Sequence, residues 1–179
     1  ALADVVDPVA AADTKVGHVR VDGHGHVRGE RPGRGGPNQQ SAVGLVAERE
    51  ANKDGRMLEL EIEEEIEYWN IDGKLLKYAV SNVLANAFKY SARAKSPKLV
   101  ISIRNNHLII EITDFGIGIP AAEMPNIFKT FFRCSNVGNI QGTGVGLMIV
   151  KYAVDKHNGM IEMHSKEGAG TTITIAIPS

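Results

Sequence analysis

Two amides and a cation share one stripe in Asn82-Val83-Leu84-Ala85-Asn86-Ala87-Phe88-Lys89-Tyr90. Asn82, Asn86 and Lys89 stand at i, i+4 and i+7, which a helix places on one face. An amide oxygen is a hard, neutral ligand suited to Mg²⁺, whose octahedron is usually completed by waters and phosphate oxygens, and a nearby ammonium meets phosphate charge. Taken alone, an ordinary polar helix face accounts for the same pattern. A second segment, Asp114-Phe115-Gly116-Ile117-Gly118-Ile119-Pro120, ends an apolar stretch on an acid, followed by two glycines that permit close backbone approach or positive φ. A carboxylate there can accept a hydrogen bond from an exocyclic amine such as adenine N6, a contact of roughly 1.5 to 3 kcal/mol; guanine carries a carbonyl at that position. A turn with a capping acid is an equal alternative. A third segment, Gly142-Thr143-Gly144-Val145-Gly146-Leu147, runs directly into a helical pattern, so its backbone N–H groups and the helix N-terminus suit a phosphate. It lacks both the dinucleotide-fingerprint spacing and the ending of a P-loop, and specifies little by itself.

These segments need elements to position them. Leu58, Leu60 and Ile62 alternate with Glu59, Glu61 and Glu63 from Met57 onward, the period of a half-buried strand. From Asp72 to Ser91, Leu76, Val80, Val83 and Ala87 recur at helical spacing. Lys98 to Arg104 and His107 to Asp114 read as strands joined through Asn105-Asn106, residues that tolerate the positive φ of a tight hairpin. A helix from about Gly144 to His157 ends near Asn158-Gly159, and strands Met160 to Ser165 and Thr171 to Pro178 flank the turn Lys166 to Gly170. The stretch 115 to 143 is far longer than ordinary loops and reads as a lid, with Phe128, Phe131 and Phe132 as candidate anchors. The expected fold class is α+β, a mixed, mostly antiparallel sheet with helices on one face.

The first 50 residues hold no Ile, Met or aromatic residue, whereas all 17 Ile fall after them. A core is therefore expected in residues 51 to 179, and residues 1 to 50, rich in Gly, Val and Arg, read as a tail, linker or foreign sequence. Val19 and Val21 alternate with polar neighbours as in a short strand, and Ser41 to Glu50 has room for a helical turn. His18, His24 and His26 share a parity, which makes a transition-metal site conceivable, but solvated histidines are the simpler reading; His157 and His164 are expected at the surface. A net charge of −1 gives no electrostatic reason to expect nucleic acid or an anionic membrane as partner. Cys134 is the only cysteine, with little to suggest a redox role. No run approaches the roughly 18 apolar residues of a membrane span. The acidic run Glu61, Glu63, Glu64, Glu65 and Glu67 reads as a solvated strand edge.

In their order, the Asn82–Tyr90, Asp114–Pro120, Ile127-Phe128-Lys129-Thr130-Phe131-Phe132-Arg133 and Gly142–Leu147 segments resemble the N, G1, F and G2 boxes of the catalytic domain of sensor histidine kinases. Gly168-Ala169-Gly170-Thr171-Thr172 is similar to the family's Gly-and-Thr segment before its last strand. The resemblance covers about 120 residues and lies within the wider superfamily of gyrase, chaperone, histidine kinase and mismatch-repair ATPases. It implies a two-layer α/β sandwich of the Bergerat type, a long ATP lid, and ATP with Mg²⁺ as cofactors. It further implies that Asn86 ligates Mg²⁺, that Asn82 and Lys89 face the phosphates, and that Tyr90 packs beside the nucleotide. Asp114 would read adenine, supported by Gly116, Gly118 and Ile119, with Thr172 reaching it through water. Gly142, Thr143, Gly144, Gly146 and Leu147 would hold the polyphosphate, and Arg133 would be the lid cation nearest the γ-phosphate.

The superfamily's hydrolases resemble one another in a Glu one turn before the metal-binding Asn, where this chain has Asn82. An amide has no useful basicity, so water activation loses a proton acceptor whose usual contribution is about 10²- to 10⁴-fold. A neutral imidazole, with a pKa near about 6.5, already offers its lone pair, and charge neutralisation and in-line positioning suffice. The resemblance thus implies an ATP-dependent protein histidine kinase, with catalytic Asn82, Lys89 and Arg133. Its partners would be a dimerisation and phosphoacceptor domain and a response regulator. A binding module without kinase activity in isolation is the alternative, and an ATP hydrolase is disfavoured. None of His18, His24 or His26 has the setting of the family's phosphoacceptor, so the hairpin that carries it, and with it dimerisation, is expected from elsewhere. The segment is expected to be cytoplasmic, with a membrane anchor left open for a longer parent.

Overall fold

The structure is a computed structural model that describes residues 17–18, 39–40, 56–63 and 69–179. In chain order its elements are β1 (Gly17–His18), β2 (Gln39–Gln40), β3 (Glu59–Ile62), β4 (Trp69–Asn70), α1 (Gly73–Tyr90), β5 (Lys98–Arg104), β6 (His107–Asp114), α2 (Gly146–Lys156), β7 (Met160–Lys166) and β8 (Gly170–Pro178). Six strands form one sheet in the order β1-β3-β5-β6-β8-β7, and β2 pairs with β4. Among the described strands only β3 and β5 run parallel, so the expected mixed, mostly antiparallel α+β sandwich is what forms.

The sheet is ordered by side-chain rows that cross it. Leu60, Leu99, Ile112, Ile173 and Met163 are successive register partners from β3 to β7, and Ile62, Ile101, Ile110, Ile175 and Ile161 make the next row. Because side chains alternate along a strand, both rows face the same side. There they meet Leu76, Val80, Val83 and Ala87 of α1 and Val150, Ala153 and Val154 of α2 in one core. The opposite face carries Ion pairs such as Lys98–Glu61 at 2.6 Å and Arg104–Glu63 at 3.3 Å, together with a small apolar group of Ile109, Ala176 and Met160. Glu61 and Glu63 are thus ion-paired, and β3 lies inside β1 rather than at a free edge, contrary to the solvated edge expected; Glu64, Glu65 and Glu67 lie outside the described residues.

Local signals set the element ends. Asp72 caps α1 by accepting from the N–H groups of Lys74 and Leu75, both at 3.0 Å. Asn105 and Asn106 have φ of 49° and 59°, the pair of left-handed residues that a two-residue hairpin requires. α2 ends where Asn158 turns left-handed at φ 52° and the Gly159 N–H returns to the Val154 carbonyl at 2.9 Å. The Trp69–Asn70 strand has no counterpart in the sequence reading, being two residues long. Trp69 is held by its indole N–H, which donates to the Pro178 carbonyl at 3.0 Å. Val19, Val21, His24, His26 and the helical turn expected within Ser41 to Glu50 lie outside the described residues.

His157 is not a simple surface residue. Its Nδ1 donates to the Ala153 carbonyl at 2.7 Å, which leaves Nε2 to accept from the Asp72 N–H at 2.9 Å. The ring therefore ties the end of α2 to the start of α1, while His164 stays exposed beside Glu162 at 3.0 Å. Replacing His157 by Ala should lower the unfolding free energy by about 1 to 3 kcal/mol, read from the urea midpoint at unchanged slope. A loss under about 0.5 kcal/mol would remove the ring from this role.

Candidate functional site

Past the Ile112–Ile173 row the next pair on the helix-facing side is polar. Asp114 is the register partner of Thr171, and Thr171 is the partner of Ser165. Asp114 and Thr171 of this row floor a cavity of about 380 Å³ enclosed by α1, the start of α2 and the lid. Asn82, Asn86, Lys89, Tyr90, Asp114, Gly118, Ile119, Arg133, Gly142, Thr143, Gly144, Gly146 and Leu147 all line it. Strand parity puts Thr172 elsewhere: its hydroxyl lies 3.0 Å from that of Thr113, on the opposite face of the sheet. Thr171 takes the place expected of Thr172. The signal was available in Ile173, Ile175 and Ile177, whose parity Thr171 shares.

At the base of the cavity, Asp114 Oδ1 accepts from the Gly116 N–H at 2.8 Å. Burial pushes the Asp114 carboxyl above the ordinary aspartate range, against hydrogen bonds from the Gly116 and Thr171 backbones that pull it down. Gly116 itself does not line the cavity. A Cβ there would stand 2.2 Å from the Tyr90 carbonyl, so glycine is what lets this turn pack against the end of α1. Ser165, which the sequence reading did not single out, accepts from the Ile119 N–H at 2.9 Å and lies 2.9 Å from the Thr171 hydroxyl.

The other end offers backbone N–H groups and a cation, chemistry that suits an anion. α2 begins without a side-chain cap, so no side chain of the cap residue Val145 competes for its first N–H groups. Gly146 leaves open the space in which a Cβ would meet Asn82 Oδ1 at 3.0 Å and Asn86 Nδ2 at 3.8 Å. Asn82 Nδ2 is engaged with the Tyr78 carbonyl at 2.8 Å, and a carbonyl can only accept, so the free end of this amide is its oxygen. Lys89 Nζ sits 4.6 Å from the centroid of the Tyr90 ring, whose face holds the ammonium near the glycine loop. The Asn82 amide oxygen, the Asn86 amide and the Lys89 ammonium thus border one small gap, and with the Asn86 amide turned to present its oxygen the set fits Mg²⁺ bound together with phosphate. Among the described residues no group of three or more His, Cys, Asp or Glu is placed to hold a metal ion.

The lid folds over the cavity through its backbone more than through its rings. Phe132 lines the cavity, but Phe131 is 75% exposed and anchors nothing with its side chain. Its N–H instead donates to the Gly144 carbonyl at 3.0 Å, with Phe131 at φ 61°. Gly144, at φ 72°, could carry no side chain, since a Cβ would fall 2.7 Å from the Phe131 carbonyl carbon. Glu123 bridges the lid by accepting from the Ser135 N–H at 3.0 Å and from its hydroxyl at 2.5 Å. Arg133 lines the cavity while its Nη2 donates to the Ile140 carbonyl at 2.5 Å.

With this geometry the relatives can be weighed. Residues 71–179 match the family model for histidine kinase-, DNA gyrase B- and HSP90-like ATPases. The chain belongs to this family. The family makes ATP the nucleotide for which such a cavity is built. The sensor-like histidine kinase SenX3 of Mycolicibacterium smegmatis is 37% identical over 109 residues, 60% of this chain and 28% of that protein. The sensor protein kinase WalK of Staphylococcus haemolyticus is 38% identical over 122 residues, 66% of this chain and 20% of its own. The chain thus spans less than a third of the length of these curated relatives. Among solved structures, the mycobacterial sensor histidine kinase MprB superposes with a TM-score of 0.65 at 29% identity, covering 78% of this chain and 97% of that one. The catalytic domain of histidine kinase ThkA, at 24% identity and a TM-score of 0.59, shares the fold. Among the described residues no helix is long and apolar enough to cross a membrane.

One residue of the family-like lid is chemically quiet. Cys134 lines the cavity, and burial, aided by the neighbouring Glu123 carboxylate, pushes its thiol up to about 11 from 9.0. At pH 8 that lowers the thiolate fraction about a hundredfold. Iodoacetamide should therefore alkylate Cys134 about a hundredfold more slowly in the folded protein than after denaturation, and Glu123→Gln should recover part of the difference. Equal rates in the folded and denatured protein would contradict the sheltered thiol.

Proposed function

We propose that residues 51–179 bind Mg-ATP in this cavity and pass its γ-phosphate to a histidine on a separate dimerisation and phosphoacceptor domain, as the catalytic part of a two-component sensor kinase serving a response regulator. The reading is carried by Asn82, an amide where a water-activating hydrolase needs a carboxylate. Asp114 accepts from adenine N6, and Ile119, Gly118 and Thr171 complete the base end. Lys89, the N–H groups of Gly144 and Gly146, and the start of α2 meet the phosphates, while Arg133 on the lid is assigned to the γ-phosphate. Asn86, with the Asn82 oxygen beside it, would hold a Mg²⁺ ion, which when bound supplies charge neutralisation to the phosphates. No proton acceptor is needed from the protein, because a neutral imidazole attacks with its own lone pair.

Incubating the full chain with γ-labelled ATP, Mg²⁺ and a dimerisation hairpin from a sensor histidine kinase should place acid-labile, base-stable phosphate on the hairpin, and EDTA should abolish it. Bound nucleotide without transfer would leave a binding module only, and release of free phosphate outpacing transfer would make the domain a hydrolase. Asp114→Asn should weaken ATP binding by about ten- to a hundredfold and GTP binding much less. Equal losses for the two nucleotides would refute the role given to Asp114.

A further inference from the structure

The last carbonyls of α1 have no partner inside the helix, and its cap residue Ser91 and two distant segments supply donors to them. Ser91 Oγ donates to the Ala87 carbonyl at 2.6 Å, and the Ile117 N–H donates to the Tyr90 carbonyl at 3.1 Å. Between them stands Arg56, three residues ahead of the start of β3. Its Nη2 donates to the Phe88 carbonyl at 2.8 Å, and its Nη1 to the Ser91 carbonyl at 2.8 Å and the Ser91 hydroxyl at 2.9 Å. The guanidinium also lies 5.5 Å from the centroid of the Phe88 ring. Ser91 is only 1% exposed, so these bonds form where water competes poorly, and a cation at this end of a helix meets the negative pole of its dipole.

Lys89 and Tyr90 lie between the two carbonyls that Arg56 grips. The Tyr90 ring places the Lys89 ammonium, and the Tyr90 carbonyl seats the Gly116 turn beside Asp114. We propose that Arg56 is a positioning residue for phosphate binding: it fixes the last turn of α1 so that Lys89 reaches the nucleotide's phosphates. This rests on the reading of the cavity as an ATP site. Control over phosphate affinity then sits on the segment through which the preceding chain joins the domain. The fork geometry of a guanidinium matters here, because an ammonium is a point donor that does not span both carbonyls in one plane.

The test compares ATP with adenosine, each competed against a fluorescent nucleotide on the full chain, for wild type, Arg56→Ala, Arg56→Lys and Lys89→Ala. Arg56→Ala should lose at least about tenfold in ATP affinity while adenosine changes less than about threefold. Combining it with Lys89→Ala should cost little beyond Lys89→Ala alone, since both act through one contact. Ethylguanidinium should restore the ATP preference of Arg56→Ala, and Arg56→Lys, the variant closest in size and charge, should show an intermediate loss. Equal losses for ATP and adenosine, a fall in melting temperature with the preference intact, or fully additive variants would overturn the proposal. If wild type itself shows no preference for ATP over adenosine, the reading of the cavity falls and takes this inference with it. A wild-type preference that survives in both Arg56 variants overturns the inference alone.

Discussion

Everything at the site depends on the rotational setting of α1 against the sheet. Burying Leu76, Val80, Val83 and Ala87 over the isoleucine rows leaves the helix no freedom to turn, because any rotation would lift part of that stripe out of a close-packed core. With the apolar face locked, Asn82, Asn86 and Lys89 are carried along one flank, beside the start of α2. α2 is set by the same means, through Val150, Ala153 and Val154. The His157 ring joins the two helices at the end away from the cavity. The polar flank is thus positioned by apolar contacts that never touch it.

The cavity has two ends of different chemistry, and the sheet explains why. Across the strands the helix-facing rows are apolar until the Asp114–Thr171–Ser165 row, where the strands approach their ends and the first polar side chains appear. A carboxyl there is partly sheltered by the apolar rows beside it, which is why its proton affinity rises even as two backbone N–H groups favour its charged form. The other end is made mainly of backbone, with an uncapped helix start and a glycine loop supplying N–H groups that bring no side-chain bulk. In the function proposed, a base is read at the first end and a charge received at the second.

The lid adds a backbone constraint of its own. Phe131 and Gly144 are both left-handed and are joined by a main-chain hydrogen bond, so the lid and the glycine loop restrain each other. A bulky residue in that region of φ is costly, of the order of 1 to 3 kcal/mol, and persists only where its surroundings over-determine it. The result is an aromatic ring turned outward at the mouth of the cavity, while Phe132, its neighbour, turns inward.

Much of this was legible in the sequence, because it depends on neighbours along the chain. The Lys98–Arg104 and His107–Asp114 strands fall where alternation put them, the Asn105-Asn106 turn is left-handed, and α1 runs between its Asp72 cap and Ser91. The order of the glycine, asparagine and aspartate segments likewise marked the site, since each segment carries its chemistry locally. What tertiary structure alone decided lies in contacts between distant residues. Arg56 reaches the end of α1 across 35 positions and His157 reaches Asp72 across 85, and neither leaves a periodic trace. Phe131 is a candidate anchor by its ring because aromatics usually bury, yet its backbone does the anchoring. Thr171 replaced Thr172 for a simpler reason: adjacent strand residues face opposite sides, and only the sheet's pairing shows which side holds the cavity. Local periodicity follows from bond geometry within a few residues, whereas the choice among distant partners follows from packing that no short stretch of chain encodes.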